Sequence, residues 1–318
     1  MLYDEYGNGF KIDGRDLRIS CGVNEDKKRI YLHGKLERSI KSFKNIEIRN
    51  LRITRDELGF YACVCVRRKL PEKKDIKKVI VIDPNHKNLG VGVTNTGESI
   101  QIENPSFLKT LEKRIDQLKS KRDKCKKKYK EVELTSKKII KVHSRRWKKL
   151  DRELQKLYRL RREQTKTYLY TIANQLYKNY DHVSIGDYTP RGGGLNTKMR
   201  RSMNNCSLIG RFKEILKWVA KKSGKEFSVW KEFNSTKTCS NPKCDFIHEK
   251  SLDPKIRKWK CPSCNSTHLR DENAAKNGLY KLNLPSLGHQ DLIDIRTRCA
   301  WKYFFLGIVK IPGKEIVA

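Results

Sequence analysis

Four cysteines in two close pairs constrain the fold of this chain more than any other feature of its sequence. Cys239 and Cys244 form a Cys-x4-Cys pair, and Cys261 and Cys264 form a Cys-x2-Cys pair. These spacings let each loop present both sulfurs to one zinc ion while the segment between them folds back as a ribbon. Two disulfides are the alternative, but disulfide frameworks belong mostly to smaller secreted chains. Because four thiolates fill a tetrahedral shell, we predict one structural zinc ion in a ribbon over about residues 235–268.

The charge of the chain indicates what it binds. Lysine and arginine outnumber aspartate and glutamate by 72 to 36 over 318 residues, which gives a formal net charge of +36. Such an excess predicts a polyanionic partner, with nucleic acid favoured over an anionic membrane surface. The amino-terminal residues have no export pattern, and the apolar run 301–308 is too short to span a bilayer. We therefore expect an intracellular protein without a membrane partner.

Strand-like runs occupy the amino-terminal part and then recur further along the chain. Residues 1–75 alternate apolar and polar side chains in short runs, which predicts a β-rich module. The run Val79–Ile82 is apolar throughout, as in a strand buried on both faces, and Asp83 follows it. Four more strand-like runs and the helical runs among them predict an α/β domain over residues 76–281.

Residues 105–179 change to a helical period. Leucine and isoleucine recur every three or four positions in two stretches, which predicts two amphipathic helices in a hairpin inserted into the α/β domain. The polar faces carry basic runs such as Lys126–Lys128 and Arg161–Arg162. A solvated surface explains any one of these charges. Because nearly all of them have one sign, contact with phosphates is favoured for the set.

Three acids lie beside strand ends or a helix start, and they are the candidate catalytic residues. Asp83 follows the buried strand, Glu232 follows the strand-like run 227–230, and Asp271 begins a helical run. Nucleases that use two magnesium ions need several carboxylates at one spot, and magnesium prefers such oxygen ligands. Each acid also has a structural alternative: Asp83 as a turn residue, Glu232 as a surface acid and Asp271 as a helix cap.

These residues and the motifs around them carry a family resemblance. The Asp83-Pro-Asn-His opening, the basic helix pair, the Thr-Lys-Thr-Cys239 ribbon and the Arg-Asp271-Glu-Asn-Ala-Ala-Lys-Asn motif resemble TnpB, a transposon-encoded family related to type V CRISPR effectors. The resemblance covers roughly residues 45–281. It implies an RNase H-like (RuvC) nuclease domain with the helical hairpin and zinc ribbon inserted, preceded by a partial β-barrel, wedge-like module. It also implies RNA-guided cleavage of DNA, with a guide called ωRNA and a short motif read beside the target.

One departure from the TnpB pattern concerns a candidate ligand. TnpB proteins carry a metal-binding Glu at the end of the fourth strand, where this chain has Gly186. Fanzor proteins, the eukaryotic and viral relatives, resemble this chain in using a Glu just upstream of the ribbon, the place that Glu232 occupies. The resemblance thus implies magnesium binding by Asp83, Glu232 and Asp271, with Asp187 as the substitute if the strand is misaligned.

A second departure concerns the amino-terminal part. Family members usually interrupt the wedge-like barrel with a helical recognition domain, and residues 1–75 resemble only the second part of that barrel. We predict an RNA-guided endonuclease that uses two Mg²⁺ ions, one structural Zn²⁺ ion and a guide RNA, with target double-stranded DNA as partner. Nuclear residence follows if the Fanzor assignment holds.

Two other functions stay open from the sequence. One is a catalytically inactive or degraded protein that binds guide RNA or DNA, and the other is an unguided resolvase of branched DNA. Residues 282–318 have no pattern that assigns them a role.

Overall fold

A computed structural model describes most of the chain. It covers residues 2–3, 6–37, 39, 47–56, 59–73, 75–133, 139–188, 207–250, 252–253, 255–282, 299–304 and 307–310, of which 2–3, 299–304 and 307–310 are described by their backbone. The contacts divide the chain into two compact units, residues 1–69 with 116–158 and residues 70–115 with 159–318. Within the described ranges, no helix combines the length and the apolar character needed to cross a membrane.

The first unit contains two small antiparallel sheets that share one core. Their strands are β1 (Leu2–Tyr3), β2 (Phe10–Asp13), β3 (Asp16–Val23), β4 (Arg29–Lys35), β5 (Glu47–Asp56) and β6 (Gly59–Arg67). One sheet has the order β1-β5-β6 and the other β2-β3-β4. Every second residue of β2 is buried, and Phe10, Ile12 and Leu51 meet in the core. The β-rich character expected of residues 1–75 is therefore observed, while its wedge-like identity stays a prediction.

Two long helices follow the spacing of the sequence, with an element between them that the sequence did not indicate. They are α1 (Phe107–Lys124) and α2 (Arg145–Asn179). Between them, β10 (Tyr129–Glu133) and β11 (Ile139–His143) form an antiparallel hairpin in the first unit, where the sequence predicted only a lysine-rich break.

The second unit is built around a seven-stranded mixed sheet. Its strands include β7 (Val79–Asp83), β8 (Gly90–Thr94), β9 (Glu98–Ile102), β12 (His182–Gly186) and β13 (Glu226–Trp230). With β16 (Cys299–Phe304) and β17 (Gly307–Lys310), the order is β13-β12-β7-β8-β9-β16-β17, in which β12 runs parallel to both β7 and β13. Every residue of β7 and β12 is buried, because both faces of these strands are covered.

Helices cover the two faces of this sheet. On one face, Ile80 and Ile82 of β7 join a core with α2 and with α3 (Ile209–Ser223). On the other face, Val79 and Val81 pack with residues of α4 (Arg270–Lys281). A Cβ atom at Gly278 of α4 would lie 2.7 Å from the ring of Trp230, so a glycine allows α4 to approach the sheet closely.

The sheet also takes in strands from the segment to which the sequence assigned no role. The strand β16 (Cys299–Phe304) pairs in parallel with β9, and β17 (Gly307–Lys310) pairs antiparallel with β16. Part of the range 282–318 thus extends the central sheet, and apart from residue 282 the rest of that range lies outside the described residues.

Candidate metal centres

The four cysteines meet as the sequence predicts. Their sulfur atoms all lie within 4.8 Å of one another, and the Cys239–Cys264 and Cys244–Cys261 sulfur pairs are each 3.7 Å apart. Sulfurs at 2.3 Å from a central zinc ion would stand about 3.8 Å apart in a tetrahedron. The site therefore fits one zinc ion, and four thiolates leave it no open position for a substrate.

The ribbon around these sulfurs contains two short strands, and two of its polar side chains contact the sulfurs. The strands β14 (Lys258–Lys260) and β15 (Thr267–Leu269) pair antiparallel on either side of the second cysteine pair, and β15 leads into α4. The Nε2 atom of His268 lies 3.1 Å from the sulfur of Cys239. The hydroxyl of Ser266 lies 3.2 Å from the sulfur of Cys264, and this contact is the largest of several that lower the pKa of that thiol to about 6, whereas burial raises the pKa of the Cys239 thiol.

Two asparagines of α4 hold the start of the ribbon, a role that the sequence analysis missed. Asn273 and Asn277 are one helical turn apart and both are buried. Their Nδ2 atoms donate hydrogen bonds to the backbone carbonyls of Ser235 and Thr238 at 2.8–3.2 Å. The Oδ1 atom of Asn273 also accepts the N–H of Ser240 at 2.9 Å. Their spacing of four in the motif that follows Asp271 was the available signal.

Asp83 lies at the carboxyl end of β7 and is 6% exposed. Burial raises its pKa well above the ordinary value, and the negative charges of Glu232 and then Asp271 raise it further. The structure thus brings the three acids named from the sequence into one electrostatic environment. A buried carboxylate crowded by like charges is stabilised in its ionised form by a bound divalent cation.

The side chain of Glu232 occupies the space above Gly186. A Cβ atom built on Gly186 would lie 1.8 Å from Oε1 of Glu232 and 2.5 Å from its Cδ. Gly186 ends β12, and its partner in the register is Trp230 at the end of the neighbouring β13. The carboxylate from one strand end is therefore placed where a side chain from the next strand end would begin. The sequence suggested this exchange, and the distances are compatible with it.

The environment of Glu232 makes it a weaker acid than usual. Its pKa is raised to about 7, mainly because the carboxylate is partly buried. The backbone N–H of Tyr188 donates to Oε1 at 3.2 Å and has the opposite effect on the pKa. The carboxylate of Asp187 raises the pKa further, and the ammonium groups of Lys213 and Lys281 lower it.

Asp187 is exposed and uses one carboxylate oxygen locally. Its Oδ1 atom accepts the backbone N–H of Glu232 at 3.1 Å, and its own N–H donates to the carbonyl of Trp230 at 2.9 Å. In this geometry Asp187 fixes the backbone that carries Glu232. Its role as the substitute ligand stays a prediction that mutagenesis can test.

Asp271 lies in the first turn of α4, and its side chain does not cap that helix. The capping residue is Leu269, without a side-chain hydrogen bond. The carboxylate of Asp271 instead accepts Nη1 of Arg257 at 3.1 and 3.0 Å and Nδ2 of Asn85 at 3.3 Å. Arg257 belongs to the ribbon segment, and Asn85 to the loop after Asp83.

The three acids are spaced more widely than the cysteines. Among the described residues, the four cysteines are the only group of three or more candidate ligands whose atoms all lie within 4.8 Å. The structure therefore brings Asp83, Glu232 and Asp271 into one electrostatic environment without gathering their carboxylate oxygens into one cluster. Asp83 is buried while Glu232 and Asp271 are partly exposed, and carboxylate oxygens are the type of ligand that Mg²⁺ prefers.

Two family models match segments of this chain. The model described as "Probable transposase" (OrfB_IS605) matches residues 61–189, and "Cas12f1-like, TNB domain" matches residues 210–278. Three TnpB-like proteins of Acanthamoeba polyphaga mimivirus are each 32% identical to the chain over 142 residues, which is 43% of this chain and 26% of each relative. The matched region thus spans about a quarter of the length of these curated relatives.

A solved structure shares the fold. In the cryo-EM structure of the Cas12f1-sgRNA-target DNA complex, a chain with 15% sequence identity superposes with a TM-score of 0.53, covering 86% of this chain and 62% of that chain. The matched segments place the chain in a class of proteins similar to transposase-related and Cas12f1-like proteins, and the four-cysteine site lies inside the segment that the TNB-domain model matches. Within that class, the chain is similar to TnpB-like proteins over the region that the mimivirus relatives match.

Proposed function

We propose that the protein is an RNA-guided, Mg²⁺-dependent DNA endonuclease of the Fanzor type, with Asp83, Glu232 and Asp271 as the metal ligands of a RuvC site. The observation that carries the proposal is the placement of the Glu232 carboxylate over Gly186. A carboxylate from just after the neighbouring strand lies over the position where TnpB proteins have a ligand, and this supports the exchange that the resemblance to Fanzor proteins implies.

The sheet supports a RuvC assignment. Its strands β9-β8-β7 form an antiparallel meander, and β12 and β13 follow β7 in parallel. This is the order of an RNase H-like sheet. In that order, the ends of β7, β12 and β13 lie at the same edge, so residues 83, 186 and 232 are neighbours there.

The residues of the site have distinct roles in this proposal. When bound, two Mg²⁺ ions would activate a water and stabilise both oxygens of an in-line displacement at a DNA phosphodiester. Asn85 orients the carboxylate of Asp271, and the N–H of Tyr188 orients that of Glu232. Nε2 of His86 lies 3.1 Å from the hydroxyl of Tyr188, so the loop after Asp83 contacts the environment of both other acids.

The guide and the target are proposed from charge and family together. A net charge of +36 provides contacts for many phosphates, and phosphate contacts recognise nucleic acid without reading its sequence. Base pairing with a guide RNA would then supply the sequence specificity. The zinc ribbon would hold Arg257 beside Asp271.

The proposal is tested first by identifying the bound RNA. The protein is expressed with its native flanking locus, purified, and the RNA that accompanies it is sequenced. We expect one discrete RNA with a structured part and a variable end, whereas a heterogeneous mixture of host RNA would contradict a guided function.

Cleavage of a matching DNA target is then assayed with Mg²⁺, with Ca²⁺ and with EDTA. Activity in Mg²⁺ that is lost in Asp83→Ala and Glu232→Ala but only reduced in Asp187→Ala, which loses a backbone contact to Glu232, would support the ligand assignment. Full activity of Glu232→Ala would remove that residue from the site.

A catalytically inactive RNA- or DNA-binding protein is the second candidate. It is favoured by one observation, that Arg257 contacts both carboxylate oxygens of Asp271. Guide binding without any Mg²⁺-dependent cleavage would establish it.

A further inference from the structure

Phe233 is a feature of the second unit to which the proposed chemistry gives no role. Its side chain is 79% exposed, the largest value for any large apolar side chain among the described residues. It directly follows Glu232, the candidate ligand. Single exposed apolar side chains are common on proteins, so exposure alone does not indicate a function. The backbone and the charges around Phe233 provide the further evidence.

The backbone that carries Phe233 is fixed by hydrogen bonds on both sides. Nζ of Lys281 donates to the carbonyl of Phe233 at 2.7 Å and to that of Lys231 at 3.2 Å. The N–H of Ser235 donates to the carbonyl of Glu232 at 2.9 Å, which closes a tight turn. Because the turn is already ordered, a ligand that contacts the ring has little backbone entropy to remove.

Asn234 adds to the definition of this turn. Its φ is +61°, in the left-handed region, where asparagine is among the residues that adopt it most readily. The buried amides of Asn273 and Asn277 hold the carbonyl of Ser235 just beyond it. The exposed ring therefore projects from an ordered turn at the start of the ribbon, one residue from the candidate ligand Glu232.

The charges beside the ring suit a nucleic-acid strand. Lys213 and Lys281 are close enough to Glu232 for their charges to act on it, and Lys231 is exposed. An aromatic ring among lysines is no apolar patch of the kind that docks a protein. Aromatic side chains within basic grooves are instead the usual platforms for the bases of single strands.

The short distance between residues 232 and 233 indicates which nucleotide the ring of Phe233 can reach. Adjacent Cα atoms are 3.8 Å apart, so a ring at residue 233 lies within about one or two nucleotides of a phosphate bound beside residue 232. A base in a duplex has both faces covered by its neighbours. A ring at this position can therefore stack on an unpaired base or on the last pair at a duplex end, and within a continuous strand only on an unpaired base.

We propose that Phe233 is a stacking platform for an unpaired nucleobase of the DNA strand being cut, next to the scissile phosphodiester. This subsite rests on the proposed function, since that function defines which strand lies at the acids. The ring would hold the strand in register with the carboxylates without reading its sequence, because every base has an aromatic face.

Tryptophan fluorescence reports on the subsite directly. In Phe233→Trp, we expect added emission that single-stranded DNA quenches in Ca²⁺, which is not expected to support cleavage and leaves the ribbon zinc in place, while a strand of abasic nucleotides with the same phosphates leaves it unchanged. Subtracting the wild-type signal removes the five native tryptophans. The matched control is Phe60→Trp, in which the replaced ring is 72% exposed on β6 and no change is expected. Equal quenching by the abasic strand would overturn the proposal, and so would quenching by single-stranded RNA without quenching by single-stranded DNA.

Binding and cleavage provide the second readout. Phe233→Ala and Phe233→Leu should weaken binding of single-stranded DNA at this site by about 5- to 150-fold, the range for loss of one stacked base, whereas Phe233→Trp should not. The ratio to wild type should be the same at low and high salt, because a ring releases no counterions. Thermal unfolding confirms that these surface changes leave the fold intact.

The two proposals fail in different ways. If guided cleavage by wild type is unchanged in Phe233→Ala and base-dependent quenching is absent, the platform is wrong and the endonuclease stands. If no form cleaves DNA but quenching depends on the bases, the endonuclease is wrong and the single-strand subsite stands.

Discussion

Replacing Gly186 with alanine tests the candidate site with the smallest possible change. The new methyl carbon would lie 1.8 Å from Oε1 of Glu232, whereas ordinary contacts begin at 3.4 Å, so the carboxylate must move by about 1.6 Å, the difference between the two. A misplacement of about 1 Å at a catalytic group can cost 10²-fold in rate. We therefore expect Gly186→Ala to cut DNA at least about 100-fold more slowly than wild type, with the guide RNA still bound. Single-turnover cleavage of a matched target measures this.

Two further variants isolate the cause of that loss. In Glu232→Ala the carboxylate is already absent, so adding Gly186→Ala should slow cleavage no further, because two changes that act through one group do not add. Exchanging the two positions, with Gly186→Glu and Glu232→Gly together, should restore part of the activity by supplying the carboxylate from β12. Wild-type rates in Gly186→Ala would refute the assignment of Glu232.

Other consequences of the structure can be measured separately. Cys261→Ser should remove the single zinc ion per chain seen by elemental analysis and lower the melting temperature, and a variant that keeps its zinc would contradict the four-sulfur site. The double variant Asn273→Ala/Asn277→Ala should lose about 3–9 kcal/mol in urea unfolding by leaving two carbonyls and the N–H of Ser240 unpaired, whereas Lys243→Ala, at an exposed position of the ribbon, is the control. Burial alone would raise the pKa of Asp181, but the N–H groups of residues 78 and 77 and the ammonium of Lys225 lower it. Asp181→Asn should therefore cost roughly 1–2 kcal/mol at pH 7, a cost that disappears as the pH falls below 3.8 through the lowered pKa; an equal cost at pH 2.5 would contradict this.

The sequence predicted those parts of the molecule that depend on local pattern. Val79–Asp83 is buried as its apolar run indicates, and the two cysteine pairs meet because their spacing is short. The positions of Asp83 and Asp271 beside a strand end and a helix start also follow from local signals.

Other parts depend on relations that no local pattern contains. The hairpin of β10 and β11 is almost entirely exposed, so it shows no burial period to detect. Glu232 lies over Gly186 because β12 and β13 pair in a register that sets residue 186 opposite residue 230, which is 44 positions further along the chain. Arg257 beside Asp271 likewise depends on how the ribbon folds back, which spacing alone does not define.

The parallel pairing of β16 with β9 has a consequence for how the chain is made. Cys299 pairs with Glu98, so 201 residues, from 299 minus 98, separate the partners. At about 5–20 residues per second, the ribosome needs roughly 10–40 s to synthesise that interval. During this time the outer edge of β9 presents unpaired N–H and C=O groups, which recruit strands from other chains. The nascent protein is therefore more prone to aggregate during this interval than after β16 has paired. Coexpressed chaperones should raise its soluble yield and leave its melting temperature unchanged.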